Sequence, residues 1–285
     1  MSAPAFTPLF HGPLVSVGLT RCARPGVHDG REESSRAHAV AFPRRGVFLR
    51  ESKTGRALAH PGQAMFFNRD ETYRVRHPTA EGDECLVVTI RQDALVEALA
   101  PRDPWVEDRV SAPFRNSVAA LLEPTALLAE RLLATVRRPR AMYLQVEEQS
   151  LRLVVAAASP HAEVPRVRTA TQRRHADLAE AARELLAREP GEAWSLDLLA
   201  SALRSSPFHL ARVFRDHTGS SLHRYLTRLR LCSALGRLAE TEGHLTTLAQ
   251  ELGFCEHGHL TRAFRRAFGH TPSAVRGELQ ARARH

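Results

Sequence analysis

The 285-residue sequence has almost no lysine, since Lys53 is its only one and arginine supplies the other basic residues. It has no run of 18 apolar residues, which excludes a membrane-spanning helix. Its first residues, Met-Ser-Ala-Pro-Ala-Phe, lack the charged and apolar regions of a signal peptide, so we expect a cytoplasmic protein. Four widely spaced cysteines without a Cys-x-x-Cys pair indicate reduced, mostly buried thiols, although Cys255 would be reactive if exposed.

Motifs for catalysis and metal binding are also missing. No phosphate-binding loop or catalytic triad is visible, so we expect no catalytic residues and no cofactor. The N-terminal histidines, His28, His38, His60 and His77, are isolated, whereas a metal-binding barrel of the cupin type would supply a His-x-His pair. Two of them could meet in space, but surface or core histidines are the simpler interpretation. The sequence therefore predicts no metal site.

What the sequence does contain is an internal repeat near its C-terminus. Residues 209–219 and 259–269 share His, Leu, Arg, Phe, Arg and Gly at matching positions. The helical period places three apolar residues of each copy on one face and the arginines on another. These apolar residues are Leu210, Val213 and Phe214, then Leu260, Ala263 and Phe264. Gly219 and Gly269 stand where a helix end favours positive φ.

A shorter helix precedes each copy. Ser195 is a suitable N-cap for a helix that runs to Leu203. Thr247 and Gln250, three residues apart, have the spacing of a capping box and predict the start of the second short helix. Each unit is thus a short helix, a tight turn and a longer basic helix, the motif that places its second helix in a DNA major groove.

A generic helical pattern with a solvated basic face is the alternative, but the second copy and the connector argue against it. Ser221 can cap a helix that continues to about Glu240, roughly 30 Å long at 1.5 Å per residue. One turn of B-DNA is ~34 Å, so this helix could hold two reading helices in successive major grooves. From Pro165 onwards the chain has 19 arginines against 12 acidic residues, a net of +7, whereas the preceding part carries only +2. This asymmetry is typical of a polyanion-binding segment.

These residues resemble the arabinose-regulator (AraC/XylS) family of bacterial transcription factors. The resemblance covers residues 172–279 and is most specific where Gly253-Phe254 opens a turn and Gly269, Pro272 and Arg276 close the pattern. Gly258 and Leu260 depart from the residues common in the family, which puts base preference in doubt. Arg204 occupies the first turn, where Gly or Asn would adopt positive φ more easily.

The resemblance implies a double-stranded DNA partner at an operator or promoter in the bacterial nucleoid, contact with RNA polymerase, and an activator role. From the faces of the two longer helices we predict nine DNA-contacting residues, among which Arg212 and Arg262 have the side chain best suited to guanine. Arg215 and Arg265 are expected to hold phosphates. The nine are Phe208, Ala211, Arg212, Arg215, His257, His259, Thr261, Arg262 and Arg265.

The N-terminal part has short β-rich runs separated by Pro, Gly and Asp turns. Such runs predict a sandwich or barrel over residues 8–92, and the resemblance implies a cupin-like sensing barrel. The candidates for binding a small-molecule effector are Phe48, Phe66, Tyr73, Arg74 and His77. The alternative is that Phe48, Phe66 and Tyr73 fill a closed core.

Residues 93–158 show two apolar helical patterns, one starting near Val118 and bent at Pro124, the other starting near Met142. They predict a helical hairpin that packs on the barrel or, as in relatives of the family, pairs with a second subunit to form a homodimer. Residues 159–170, with two prolines, are the expected linker, and 171–281 the tandem helix-turn-helix domain. The predicted fold class is multi-domain α+β, a cupin-like β-barrel with helical hairpin followed by an all-α domain with two helix-turn-helix units.

Two other functions compete with a sequence-specific regulator. One is a cupin-like small-molecule-binding or enzymatic protein whose basic helical tail only adds solubility or tethers it. The other is a nonspecific architectural DNA protein, which would bind many sequences alike with strong salt dependence. The repeat argues against the first, and selection of sites from random duplexes would exclude or support the second.

Overall fold

The structure is a computed structural model that describes residues 5–22, 32–53, 55–78, 82–138, 141–158, 170–240 and 244–284. Its N-terminal half is rich in strands, and its C-terminal half is helical. Within those ranges no helix combines the length and the apolarity that crossing a bilayer demands. His28 and residues 159–169 of the expected linker lie outside the described residues.

Ten antiparallel strands in the described ranges form two sheets. The strands are β1 Ala5–His11, β2 Val15–Cys22, β3 Glu32–Ser34, β4 His38–Arg45, β5 Phe48–Ser52, β6 Gly55–Ala59, β7 Gln63–Phe67, β8 Thr72–Arg76, β9 Asp83–Ile90 and β10 Val118–Ala120. The six-stranded sheet has the order β1-β2-β9-β4-β7-β10, and the four-stranded sheet has the order β3-β8-β5-β6. The described strands thus form two sheets and no closed barrel, because no strand pairing joins one sheet to the other.

Strand β7 of the six-stranded sheet is buried on both faces. Successive side chains of a strand point to opposite faces. Ala64 and Phe66 therefore pack with the helices, whereas Met65 and Phe67 pack with residues of the four-stranded sheet. This double burial explains why the strand reads Gln-Ala-Met-Phe-Phe, without alternation of polar and apolar residues.

The helices are α1 Gln92–Leu99, α2 Glu123–Val136, α3 Tyr143–Ala158, α4 Ala170–Arg188, α5 Leu196–Ala202, α6 Pro207–Thr218, α7 Leu222–Leu238, α8 Leu245–Glu251, α9 His257–Phe268 and α10 Pro272–Arg284, with a short 3-10 helix at Pro104–Arg109. The predicted hairpin is present, since α2 and α3 pack against each other. The predicted start of its first helix, near Val118, is too early, because α2 begins at Glu123. Val118 belongs to β10, and Pro124 lies in the first turn of α2, where its missing N–H costs no hydrogen bond.

Each helix-turn-helix unit shares an apolar core with the N-terminal half. The first, α5–α6, packs with α4, α7 and three residues of the N-terminal half: Val47, which precedes β5, Leu49 in β5 and Leu58 in β6. The second, α8–α9, belongs with α10 to the core that contains α2, α3 and one face of the six-stranded sheet. The two halves are therefore joined by continuous packing, which the sequence did not predict.

Candidate nucleic-acid interface

The first helix-turn-helix unit has the local structure that its sequence predicts. Ser195 Oγ accepts a hydrogen bond from Leu198 N at 3.0 Å and caps α5. Arg204 takes φ 51° in the turn, although a side chain makes that conformation costly. Ser206 caps α6, and Gly219 ends it in the left-handed conformation at φ 68°. The N-cap, turn and C-cap that define the motif are thus all present.

The second unit repeats this arrangement with a different start. α8 begins at Leu245 after His244, two residues before the expected cap, so the prediction that Thr247 caps it is wrong. Thr247 lies within the first turn of α8, so it and Gln250 are both helical residues. The same three-residue spacing occurs inside any helix and does not by itself locate a helix start. Gly253 supplies positive φ in the turn, at 72°, and Gly269 ends α9 at φ 78°.

The connector is the helix α7, capped by the Ser221 hydroxyl, which accepts from Arg224 N at 3.3 Å. It has 17 residues and ends at Leu238, two residues before the expected end. At 1.5 Å per residue its length is roughly 26 Å. Its apolar residues are buried against both units and against β4 and α2 of the N-terminal half, so it acts as a rigid spacer.

The apolar stripes of α6 and α9 are buried, and their basic residues face solvent. Leu210, Phe214, Leu260 and Phe264 are fully buried. Among the nine predicted contact residues, Phe208 is 91% exposed, an unusual degree for an aromatic ring. Arg212, Arg215, His259, Arg262 and Arg265 are exposed, whereas Ala211, His257 and Thr261 are partly buried. The two helices thus present a cationic face with one apolar ring.

Several contacts orient the side chains at the start of α9. His259 lies edge-on against Phe254, with ring centroids 5.6 Å apart. His257 Nε2 is 3.4 Å from Thr261 Oγ1 on the next turn. Arg262, with 74% of its side chain exposed, forms a 3.3 Å ion pair with Glu256, the residue before the helix. This exposed pair is weak and leaves the guanidinium available to a stronger acceptor.

Arg44 forms a buried charge cluster between the halves. Its side chain is 2% exposed and forms ion pairs with Glu84, Glu130 and Glu240, the last at 2.9 Å from beyond the end of α7. Partial burial disfavours the Glu240 carboxylate, but Arg44, with the other arginines around it, lowers the pKa of Glu240 to about 2. The cluster therefore binds the connector to the six-stranded sheet. Charged residues usually lie on the surface, so the sequence did not predict this buried cluster.

A second polar contact joins the turn before β7 to α7. Burial, with Arg183 nearby, lowers the pKa of His60 to about 3, so its ring is neutral. Its Nδ1 lies 2.7 Å from the Pro61 carbonyl oxygen and donates to it, which leaves Nε2 to accept from the Tyr225 hydroxyl at 2.6 Å. Gly62 follows at φ 90°, and an added Cβ would lie 2.9 Å from Cys232 Sγ in α7.

The structure brings two of the predicted effector residues together, since the rings of Phe48 and His77 have centroids 6.4 Å apart, and places Phe66 and Arg74 elsewhere. Phe48 and Tyr73 belong to the core between the sheets, where the Arg50 guanidinium lies 4.6 Å from the Phe67 ring centroid. Phe66 faces the opposite side of β7 and packs on Phe114. Arg74 is exposed beside Glu32, and His77 is buried with its Nε2 2.5 Å from Asp83 Oδ1.

An open cleft of about 1530 Å³ lies between the two halves. Its walls include Phe66 and Arg102 from the N-terminal half and His223, Arg228 and His259 from the C-terminal half. Phe66 is thus the one predicted effector residue that lines this cleft. The mixture of apolar and cationic side chains would suit an organic anion.

Comparison with known proteins identifies relatives of the C-terminal half. A helix-turn-helix domain family model matches residues 199–278. The HTH-type transcriptional activator RhaS of Pectobacterium carotovorum subsp. carotovorum is 38% identical over 73 residues, which are 26% of this chain and 26% of RhaS. The regulatory protein SoxS of Salmonella typhimurium is 34% identical over 85 residues, 30% of this chain and 79% of SoxS. The chain thus matches only about a quarter of the length of RhaS.

Among solved structures, apo ToxT from Vibrio cholerae aligns over 94% of this chain and 98% of its own, with 11% identity and a TM-score of 0.37.

Proposed function

This chain belongs to the AraC/XylS family of transcriptional regulators, and on that premise we propose that it is a sequence-specific DNA-binding regulator that reads an operator with α6 and α9. The observation that supports this most is the duplication. Two units with a positive-φ residue in the turn and a left-handed glycine at the helix end each present exposed arginines away from a buried apolar stripe. A tail that only added charge would not need the left-handed glycine at the same position in both units.

Within each reading helix, position along the helix separates base contacts from phosphate contacts. Arg212 and Arg262 lie in the middle of α6 and α9 and can reach the O6 and N7 atoms of guanine. Arg215 and Arg265, one turn later, are placed to bind phosphates and fix the register. Phe208 and Ala211 would contact a thymine methyl group, and His257, His259 and Thr261 the facing bases of the second half-site.

The first experiment selects binding sites from random duplexes with the full chain and then measures affinity for a selected and an unrelated duplex. We expect Arg212→Ala or Arg262→Ala to cost about 1–3 kcal/mol on the selected site and less on the unrelated one. Arg152→Ala on α3 is the matched control, because its exposed side chain carries the same charge outside the two reading helices. Failure to enrich any sequence would favour the nonspecific architectural protein, and equal losses on both duplexes would assign a phosphate role to these arginines.

A second experiment tests the spacing. With α7 as a rigid spacer, the two half-sites should be centred about one helical turn apart, roughly 10–11 base pairs. Inserting five base pairs between them would rotate one half-site to the far side of the duplex and abolish most of the affinity. Retained affinity would mean that one unit alone reads DNA.

For the N-terminal half we propose a cupin-like sensing domain that responds to a small organic effector. The effector must bind one arrangement of the two halves more tightly than another, since equal affinity would shift nothing. The cleft supports this, because its walls come from both halves. A screen of organic anions by thermal shift, repeated with Arg228→Gln, would test it, and ligands that stabilise both proteins equally would exclude this cleft.

We further propose that the protein is a homodimer that contacts RNA polymerase and has no catalytic activity of its own. The start of α3 supports dimerisation, because Met142, Tyr143 and Leu144 are 69%, 61% and 73% exposed on adjacent positions. Sedimentation equilibrium of the wild type and of a Leu144→Glu variant would test it. A monomeric wild type would contradict dimerisation and leave the DNA-binding proposal intact.

A further inference from the structure

Three side chains of metal-ligand type meet where the two sheets adjoin. Cys22 and Asp83 are register partners at the ends of β2 and β9, so their side chains share one face of the six-stranded sheet. His77 follows β8 of the other sheet and reaches the same point. Across the described ranges, one sulfur, one nitrogen and one oxygen from these residues lie within 4.8 Å of one another.

The imidazole lies between the other two groups. His77 Nε2 is 2.5 Å from Asp83 Oδ1, and His77 Nδ1 is 3.9 Å from Cys22 Sγ. A second thiol is adjacent, with Cys85 Sγ 3.5 Å from the other carboxylate oxygen, Asp83 Oδ2. All four residues are buried. The group therefore offers two sulfurs, one ring nitrogen and a carboxylate. They come from the end of β2, the start of β9 and the residue after β8.

We propose that Cys22, His77 and Asp83, with Cys85 as the fourth donor, form a binding site for one zinc-class divalent cation. Zinc accepts sulfur, imidazole and carboxylate ligands in a tetrahedral arrangement, with bonds of about 2.0–2.3 Å. Two ligand atoms on one tetrahedral zinc ion are then roughly 3.3–3.7 Å apart. This separation lies between the 2.5 Å from His77 to Asp83 and the 3.9 Å from His77 to Cys22. A rotation of the His77 ring that turns one nitrogen towards both Cys22 and Asp83 would complete the site.

The charge balance of the site favours a cation. Asp83 is buried, and among the described residues its one salt-bridge contact is with His77, a side chain that carries charge only when protonated. A buried carboxylate needs compensating positive charge, and neither thiol provides any. The same three residues could instead form a thiol–imidazole–carboxylate relay that activates Cys22 as a nucleophile. That role requires access to the sulfur, whereas Cys22 is only 7% exposed.

A cation here would connect parts of the fold that no strand pairing joins. It would link the end of β8 to the paired ends of β2 and β9. Glu84 lies between Asp83 and Cys85 in β9 and forms an ion pair with Arg44 in the cluster at the connector. Occupation of the site would therefore stabilise the strand that supports the contact between the halves. The site itself depends only on these contacts and not on the proposed DNA-binding function.

The test uses the full-length protein after treatment with a chelator and dialysis against Zn²⁺ or Co²⁺. We expect one metal ion per chain, a thiolate-to-cobalt charge-transfer band, and a higher Tm with Zn²⁺ that the chelator reverses. Cys22→Ser, His77→Gln and Asp83→Asn should each weaken binding by at least about tenfold. Cys255→Ser, which changes an exposed thiol in the second helix-turn-helix turn, should bind metal as the wild type does.

The cobalt band and the chelator-reversible Tm are measured on the wild type, so they decide the matter even where a variant does not fold. A wild type that retains no metal, or variants that retain as much metal as the wild type, would overturn the proposal. Rapid alkylation of Cys22 in the wild type, unaffected by Zn²⁺, would overturn it in favour of the relay.

Discussion

Replacing Glu240 by Gln tests the charge cluster that binds the connector to the N-terminal sheet. The pKa of Glu240 falls from 4.5 to about 2 in the folded chain, because Arg44 and the neighbouring arginines favour its ionised form. At 1.36 kcal/mol for each pKa unit, this corresponds to about 3 kcal/mol of stability at pH 7. A glutamine keeps one acceptor oxygen but no charge, so we expect the free energy of unfolding to fall by about 2–3 kcal/mol.

The sign of the pH dependence follows from the direction of this shift. Because the pKa of Glu240 is lower in the folded state, its contribution is complete above pH 4.5 and is lost as the pH falls towards 2. Urea unfolding followed by circular dichroism at pH 7, 5, 4 and 3 should show a difference between wild type and Glu240→Gln that is constant at the two higher values and shrinks below them.

The matched control is Glu251→Gln, whose partner Arg237 forms an ion pair with both side chains partly exposed, at 31% and 48%. Exposed pairs contribute about 0.2–1 kcal/mol, so this variant should lose no more than that. Equal costs for Glu240→Gln and Glu251→Gln at pH 7, or a Glu240→Gln cost that does not change down to pH 3, would refute the argument that the cluster is a buried, charge-dependent contact.

Three further variants test separate features. Tyr225→Phe leaves the buried His60 Nε2 without its donor and should lower the free energy of unfolding by about 1–3 kcal/mol in the same urea assay. An unchanged unfolding midpoint would mean that this hydrogen bond is absent in solution. Arg204→Gly relieves a side chain at φ 51° and should raise the unfolding free energy by up to about 1 kcal/mol, whereas a loss would show that the Arg204 side chain makes a stabilising contact. Phe208→Ala should change the free energy of unfolding by less than about 0.5 kcal/mol, because the ring is 91% exposed, and should weaken binding to the selected duplex. A large drop in Tm would instead show that the ring packs against the protein.

Features set by neighbouring residues were predictable from the sequence. Ser195, Ser206 and Ser221 each precede a helix whose free N–H they bind, and Gly219 and Gly269 each follow a helix that they end. The apolar stripes of α6 and α9 follow from the helical period alone. Thr247 shows the limit of such local rules, because its spacing to Gln250 fits a cap while the chain enters the helix two residues earlier.

Features set by contacts between distant residues were not predictable. His77 follows a strand of the four-stranded sheet, Cys22 ends a strand of the six-stranded sheet, and they are 55 positions apart, so no spacing rule brings them together. Arg44 looks like one of many surface arginines until three elements place carboxylates around it. The separation of Phe66 from Phe48 was unpredictable for a related reason, because adjacent residues of β7 point into different cores and put Phe66 on the far side of the sheet.

The core that the second helix-turn-helix unit shares with α2 gives DNA binding a heat-capacity signature. Docking on DNA as a rigid body removes apolar surface from water and makes the heat capacity of binding negative. If the second unit must first leave α2, the apolar side chains of α2 and α10 become hydrated, and each Å² exposed adds about 0.45 cal/mol/K of opposite sign. Titration calorimetry at several temperatures, with a duplex selected for binding, would therefore tell from the slope of the enthalpy whether the second unit stays packed on α2 in the proposed DNA complex or must first leave it.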